Sequence, residues 1–304
     1  MQLKKWKSYG GTMLHIMRCA VSEWVDDRCG SKGAALAFYT LFSMAPIMVL
    51  VLAVAGFFYG ADAAQGQLFG QLKGLMGDKG AAALQLVLAG AQNHGTGIKA
   101  TLIASALLLV GATTVFAELK DSLDDIWEVP KPTGSTWWDL IRTRLLSFGI
   151  ILVLAFLLMV SLVVSAALTV MENYVGGLWK DATFILSWLA WLISFLVIAV
   201  LFGVIYKLLP RLRLAWMDVV VGALGTAAMF ELGKFAIGLY IGNSGVADSF
   251  GAAGSTIAIL LWVYYSAQIF FLGAEFARQY ALQVGSLKHK KELLAAMDPM
   301  QQAV

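Results

Sequence analysis

Two ionisable side chains inside an apolar stretch are the first candidates for chemistry. Glu231 and Lys234 both fall within the apolar run Val219–Ala247. Residues three apart share one face of an α-helix, so these side chains can pair. Charges in hydrocarbon are costly and commonly mark a substrate or ion pathway. Two interpretations stay open: a polar site facing a cavity between helices, or a self-neutralised pair that locks the helices together.

A second group of polar residues lies in the apolar run near the N-terminus. Pro46 removes a backbone hydrogen bond, so we expect a kinked helix there. Tyr39 and Ser43 precede the proline and would line the mouth of a substrate path. A static packing role for the same kink is the alternative.

The final apolar run contributes Tyr265 and Gln268, which belong to a polar and aromatic band. A buried amide requires a hydrogen-bond partner. The sequence predicts Glu231 or Lys234 as the partner of Gln268. Glu275 and Arg278 follow near the end of this run, and their three-residue spacing predicts an ion pair at the membrane boundary.

The sequence contains few residues whose spacing is typical of hydrolytic or metal-binding sites. The three histidines, His15, His94 and His289, are scattered, and no metal-ligand spacing, Walker A loop or GxSxG elbow is present. The acidic stretch 118–128 could hold magnesium, although a solvated charged helix is the favoured interpretation. We therefore expect no enzyme activity, no metal and no cofactor.

The amino-acid composition indicates the kind of secondary structure that positions these residues. Of 304 residues, 60% are hydrophobic and 13% are charged, against about 25% charged in soluble domains. This excludes an ordinary soluble enzyme and predicts an all-α membrane protein with six transmembrane helices. The predicted spans are Ala34–Ala61, Ala100–Ala117, Leu145–Met171, Ala182–Tyr206, Val219–Ala247 and Ser249–Ala274, with a glycine-rich turn at Gly242–Gly254 between the last two.

The distribution of basic residues predicts the orientation. Most of the 22 Lys and Arg residues fall in the N-terminal segment, the loops after spans two and four, and the tail. By the positive-inside rule this places both termini in the cytoplasm. The first apolar run is too long for a cleavable signal, so we expect it to remain as the first transmembrane helix.

The segments outside the spans complete the predicted domains. Residues 1–33 form a cytoplasmic segment whose helix lies either in the membrane interface or packed under the bundle. Residues 34–277 form the transmembrane domain, with an external helical loop at 62–98, and residues 278–304 form a cytoplasmic tail. Within the loop, the spacing of Gly66, Gly70 and Gly74 would permit close helix packing.

A short basic turn follows the fourth span. The seven residues 207–213 contain Lys207, Arg211 and Arg213. Cationic side chains at a cytoplasmic membrane surface attract anionic lipid headgroups. We predict that this turn contacts anionic lipid.

Three stretches carry a resemblance to a known family. They are Ala34–Pro46 (AALAFYTLFSMAP), Leu209–Leu214 (LPRLRL), and the region from Gly251 through Leu261–Gln268 (LWVYYSAQ) to Gly273–Phe276 (GAEF). Together with six spans they resemble the YihY/BrkB family of bacterial inner-membrane proteins. The resemblance implies a link to serum resistance and virulence, with export or lipid movement as the suspected activity. It also implies that the family's older label, ribonuclease BN, is an error.

These observations give three functional hypotheses. The first is a transporter or lipid flippase that moves an amphiphilic or anionic substrate without its own ATPase. The second is a structural or assembly factor for envelope integrity. The third and weakest is a tRNA-processing ribonuclease dependent on Asp121, Asp124 or Asp125. The expected partners are membrane phospholipids, a lipid-linked or amphiphilic substrate and a second copy of the chain, but no nucleic acid.

Overall fold

The described parts of the chain are α-helices joined by short turns and irregular segments. The computed structural model describes residues 2–60, 114–130, 149, 180–212, 214–243 and 254–288, with single positions between 65 and 85, and no strand occurs among them. The long helices are α1 (Gln2–Asp26), α2 (Cys29–Tyr59), α3 (Lys180–Leu208), α4 (Trp216–Asn243) and α5 (Gly254–Gln283). Residues 114–126 are also helical, so the predicted all-α class is confirmed for this part of the chain.

Three of the helices are long and apolar enough to cross a membrane. The stretches are Trp191–Leu208 in α3, Trp216–Ile237 in α4 and Thr256–Gln283 in α5. Large apolar side chains remain exposed on them, with Leu232 at 75% and Phe235 at 71%. Such exposure suits a helix that faces lipid rather than water. The predicted spans 100–117 and 145–171 lie largely outside the described residues.

The start of the first predicted span differs from the structure. Helix α4 is described to Asn243 and α5 from Gly254, so the predicted turn at Gly242–Gly254 lies largely outside the described residues. α2 begins at Cys29, before the predicted start of the first span, and continues through Pro46 to Tyr59. The proline therefore does not end the helix.

Only two residues, Asp27 and Arg28, separate α1 from α2. Arg28 adopts a left-handed backbone conformation with φ of 51°, which lets the chain leave one helix and enter the next at once. The junction is therefore short and closely constrained.

Helix α5 is the centre of the packing, because it contacts α1, α2 and α4, while α3 packs on α4. Its Phe271 and Ala274 are fully buried in the largest hydrophobic core. Leu123 and Ile126 of the 114–126 helix enter the same core and are also fully buried. This end of the protein is therefore a packed layer of several elements.

Close helix contact between α4 and α5 depends on glycines. A Cβ atom on Gly222 would lie 2.3 Å from the Cβ of Ala277, and one on Gly273 would lie 2.0 Å from Thr226 Oγ1. Small residues let membrane helices approach closely in this way. The glycines that the sequence singled out behave differently, since Gly66 and Gly70 are exposed with no described atom within 4 Å of an added Cβ. Close packing at those two positions is wrong, and Gly74 lies outside the described residues.

Helix α1 packs on the bundle, one of the two arrangements that the sequence left open, and its position in the membrane interface stays a prediction. Ile16 and Ala20 are buried against Phe276 of α5. Leu14 and Val25, on another face of α1, are 67% and 60% exposed. One face thus packs under the bundle while another presents apolar side chains suited to the membrane interface.

Candidate functional site

The Glu231–Lys234 pair forms as its spacing predicts. Lys234 Nζ lies 2.6 Å from Glu231 Oε2, and the side chains are 28% and 11% exposed respectively. The other carboxylate oxygen, Glu231 Oε1, is buried without a hydrogen-bond partner in the described structure. The pair therefore neutralises its charge but leaves one acceptor unused.

Tyr265 is the predicted path residue that packs on α4 at Gly233, the position between the two charged residues in the chain. Gly233, between Glu231 and Lys234, faces α5 so closely that an added Cβ would lie 3.2 Å from the Tyr265 hydroxyl. The same position would lie 2.3 Å from Ile269 Cδ1. The polar turn of α4 therefore lies directly against the aromatic band of α5.

Gln268 corrects the sequence prediction. Both of its amide atoms are buried and lack hydrogen-bond partners, so the predicted bond to Glu231 or Lys234 is wrong. The side chain instead lies on α2, where an added Cβ at Gly33 would come within 2.0 Å of Gln268 Nε2. The error arises because membrane depth alone does not tell which neighbour a helix face meets.

The remaining predicted path residues lie on α2. Ser43 is buried with 2% exposure. Tyr39 is half-buried, and its ring centroid lies 5.8 Å from that of Phe38. Pro46 is within α2, but its side chain lies outside the described ones. A path between α2 and the α4 pair stays a prediction.

Two cationic residues of the basic turn contact other parts of the protein. Lys207 Nζ donates to the Leu214 carbonyl and lies 5.0 Å from the centre of the Trp216 ring. Arg211 donates its backbone N–H to Asp124 Oδ1 at 2.8 Å, and its Nε lies 3.5 Å from Asp124 Oδ2. Arg213 lies outside the described residues. Lys207 and Arg211 therefore have protein partners, and their predicted lipid contact stays untested.

The acidic stretch is not a solvated helix, contrary to the favoured interpretation. Lys120 and Asp124 are 5% and 7% exposed, and their charged atoms lie 2.8 Å apart. Asp121 and Glu128 are the exposed members, with 74% and 73% of their side chains accessible. Among the described residues no group of three or more His, Cys, Asp or Glu is placed to hold a metal.

Sequence reasoning missed a cavity of about 810 Å³ at the end of α5. One part of its wall is apolar, from Leu212, Leu282 and Leu287, and another is polar, from His15, Glu23, Glu128, Arg278 and Gln279. This volume is in the usual range for ligand sites. The only sequence signal was the predicted Glu275–Arg278 pair, whose closest atoms lie 3.7 Å apart.

The two cysteines differ sharply in environment. Cys19 is half-buried and lines the cavity, whereas Cys29 is fully buried in the core. Burial raises the pKa of the Cys29 thiol to about 12, so almost no reactive thiolate exists at neutral pH.

We expect maleimide to alkylate Cys19 in the folded protein at pH 7 to 8 and to spare Cys29. Mass spectrometry of the digested protein measures both rates, and alkylation after unfolding in detergent supplies the control in which both react. Equal rates in the folded state would contradict the described burial of Cys29.

These features define a helical membrane protein with an ion pair inside one candidate span and a polar cavity at the end of another. The chain belongs to the BrkB family, because the family model described as Virulence factor BrkB matches residues 20–295.

Individual relatives agree with the family model. A UPF0761 membrane protein of Acinetobacter baylyi is 26% identical over 92% of this chain and 65% of its own length. One from Vibrio vulnificus is 27% identical over 86% of this chain and 80% of its own length. One from Verminephrobacter eiseniae is 29% identical over 88% and 61% respectively. The chain therefore spans less than two thirds of two of these relatives, and no solved structure matches it.

Proposed function

We propose that this protein is a transporter or flippase-like protein of the bacterial inner membrane. It moves an amphiphilic or anionic substrate through a six-helix domain whose termini are both cytoplasmic. It does so without an ATPase of its own and without enzymatic chemistry. A contribution to envelope integrity and serum resistance belongs to the same proposal.

The observation that carries the proposal is the Glu231–Lys234 pair within the candidate span Trp216–Ile237. A purely structural ion pair in a membrane is expected to satisfy all its polar atoms, because each unsatisfied group is costly. Glu231 Oε1 has no such partner in the described structure, and Lys234 keeps 28% of its side chain exposed. An anionic headgroup passing along α4 can therefore pair transiently with Lys234.

The competing role is a structural or assembly factor. It draws support from the 2.6 Å separation of the pair, which neutralises both charges, and from the tight glycine contacts between α4 and α5. The two roles differ in whether the pair matters for lipid movement or only for stability.

Reconstitution into liposomes with a fluorescent phospholipid separates these roles. We expect the wild type to expose inner-leaflet lipid to an external quencher, and the double variant Glu231→Gln, Lys234→Met to slow exposure by about tenfold or more, equivalent to about 1.4 kcal/mol in the barrier. Lys288→Met, which removes a cation beyond α5, is the matched control and is expected to keep the wild-type rate.

Wild-type and double-variant rates that both equal those of empty liposomes would contradict transport of that lipid and favour the assembly role. Orientation has its own test, because a membrane-impermeant maleimide should reach Cys19 in inside-out vesicles and not in spheroplasts.

A further inference from the structure

The cavity at the end of α5 has a buried arginine at its polar side. Arg278 is 7% exposed and lines the cavity. Its Nη1 lies 3.7 Å from Glu23 Oε2 and 3.7 Å from Glu275 Oε2, but makes no hydrogen bond in the described structure. A buried guanidinium nitrogen without an acceptor is costly, so this position favours a ligand that brings one.

A second unpartnered donor belongs to the same wall. Trp127 lines the cavity and is 6% exposed, and its Nε1–H is buried without a partner in the described structure. Indole nitrogen can only donate. Both donors belong to side chains of the cavity wall and lack acceptors, so an oxyanion such as phosphate that reached them from the cavity would satisfy both, and arginine has matching geometry for it.

The charge balance excludes a simple anion as the best ligand. Two carboxylates of the cavity wall, from Glu23 and Glu128, lie at the single guanidinium of Arg278. A phosphate alone would add negative charge to a site that already has an excess. A ligand that carries both a phosphate and a cationic amine satisfies the donors and the carboxylates together.

Glu128 is the contact that such a ligand would replace. It pairs with Arg278 Nη2 while 73% of its side chain stays exposed. Its backbone is left-handed, with φ of 49°, at the end of the 114–126 helix, where its N–H donates to the Asp125 carbonyl at 2.9 Å. A non-glycine residue in this conformation is strained. Its carboxylate can turn from Arg278 to a ligand's amine while the ligand's phosphate takes its place at Arg278 Nη2.

We propose that this cavity binds a phosphoethanolamine headgroup, with the phosphate at Arg278 and Trp127 and the primary ammonium at Glu128 and Glu23. The apolar wall, which includes Leu212, Leu282 and Leu287, then faces the glycerol and the first acyl carbons. The inference rests on the proposed function, since it names the class of substrate that such a transporter would take up at this end of the protein.

Cys19 provides a direct readout, because it lines the cavity while Cys29 is buried elsewhere in the core. In maltoside detergent, the rate of Cys19 alkylation is measured with increasing glycerophosphoethanolamine, glycerophosphocholine, glycerol 3-phosphate or inorganic phosphate. We expect glycerophosphoethanolamine to protect Cys19 at concentrations about tenfold lower than glycerol 3-phosphate. The choline compound should protect more weakly, because its quaternary nitrogen donates no hydrogen bond.

Variants keep the test sharp even if Arg278→Gln does not fold. Glu128→Gln changes an exposed side chain, so the variant should fold and lose the ammonium site. The concentrations of glycerophosphoethanolamine and glycerol 3-phosphate that give half-maximal protection should then differ by no more than about threefold. Lys288→Gln removes a cation outside the cavity and should leave both unchanged. Absence of protection by every probe, equal protection by glycerol 3-phosphate or the choline compound, or an unchanged preference in Glu128→Gln would overturn the proposal.

Dihexanoyl phosphatidylethanolamine distinguishes the two sources of this headgroup. Protection at much lower concentration than with glycerophosphoethanolamine assigns the site to the lipid, and equal protection assigns it to a soluble phosphoethanolamine compound. The measurement requires no transport, so its failure would remove the headgroup site and leave the liposome assay at Glu231 and Lys234 to decide the proposed function.

Discussion

Gly222→Ala is expected to lower the free energy of unfolding by about 1–3 kcal/mol, the usual cost of overpacking a tight contact. The added methyl would lie 2.3 Å from Ala277 Cβ and 3.2 Å from its Cα. A backbone atom cannot rotate away, so α4 and α5 must separate. Titration with a denaturing detergent, followed by circular dichroism, measures the change.

Gly203→Ala is the matched control for this prediction. Gly203 also lies in a candidate span, but its added Cβ would meet Ala223 Cβ at 3.6 Å, an ordinary contact. Alanine favours a helix over glycine by about 0.5–1 kcal/mol, so this variant should be unchanged or slightly more stable. Equal losses for the two variants would mean that the α4–α5 approach is not the cause.

Asp124→Asn is expected to cost about 3–5 kcal/mol, because the buried Lys120 ammonium loses its close partner. It then keeps only the exposed carboxylate of Asp121, 3.8 Å away. Asp124 joins Lys120 at 2.8 Å and accepts the Arg211 backbone N–H at 2.8 Å. The loss should appear in the same detergent titration and as a lower yield of monodisperse protein.

Two further variants locate the cause. Asp121→Asn removes the more distant partner of Lys120, 3.8 Å away, but its side chain is 74% exposed, so it should cost no more than about 1 kcal/mol. Adding Lys120→Met to Asp124→Asn removes the stranded cation and should recover most of the loss. A double variant as unstable as Asp124→Asn alone would show that the ion pair is not what stabilises this helix.

Local patterns in the sequence predicted the structure well. The Glu231–Lys234 pair is fixed by a three-residue helical spacing, and that spacing alone sufficed to predict it. This prediction depends only on neighbours a few positions apart.

Contacts between distant parts of the chain were not predictable in the same way. The charges at 118–128 resemble a solvated face until Arg211, 87 residues from Asp124, is seen to share that carboxylate. The apolar series Leu119, Leu123 and Ile126 was the overlooked signal, since its spacing marks a buried helix face.

The glycines also show that a shared helix face can be predicted from spacing, whereas the neighbour that this face contacts cannot. Gly66 and Gly70 share a helix face yet meet nothing within 4 Å in the described structure, whereas Gly222 and Gly273 meet a neighbouring helix closely. Periodicity specifies which residues lie together on one helix, and says nothing about what that face meets. The Gln268 error has the same origin.

The central position of α5 has a consequence for biosynthesis. α1 and α2 emerge from the ribosome first, yet both pack on α5, which follows more than a hundred residues later in the chain. Contacts so distant in sequence form slowly, because a long loop must close before they can add stability. During synthesis, Ile16, Ala20 and Gly33 therefore lack their α5 neighbours until α5 has been made. Until then, α1 and α2 depend on lipid or on insertion factors to cover their apolar faces.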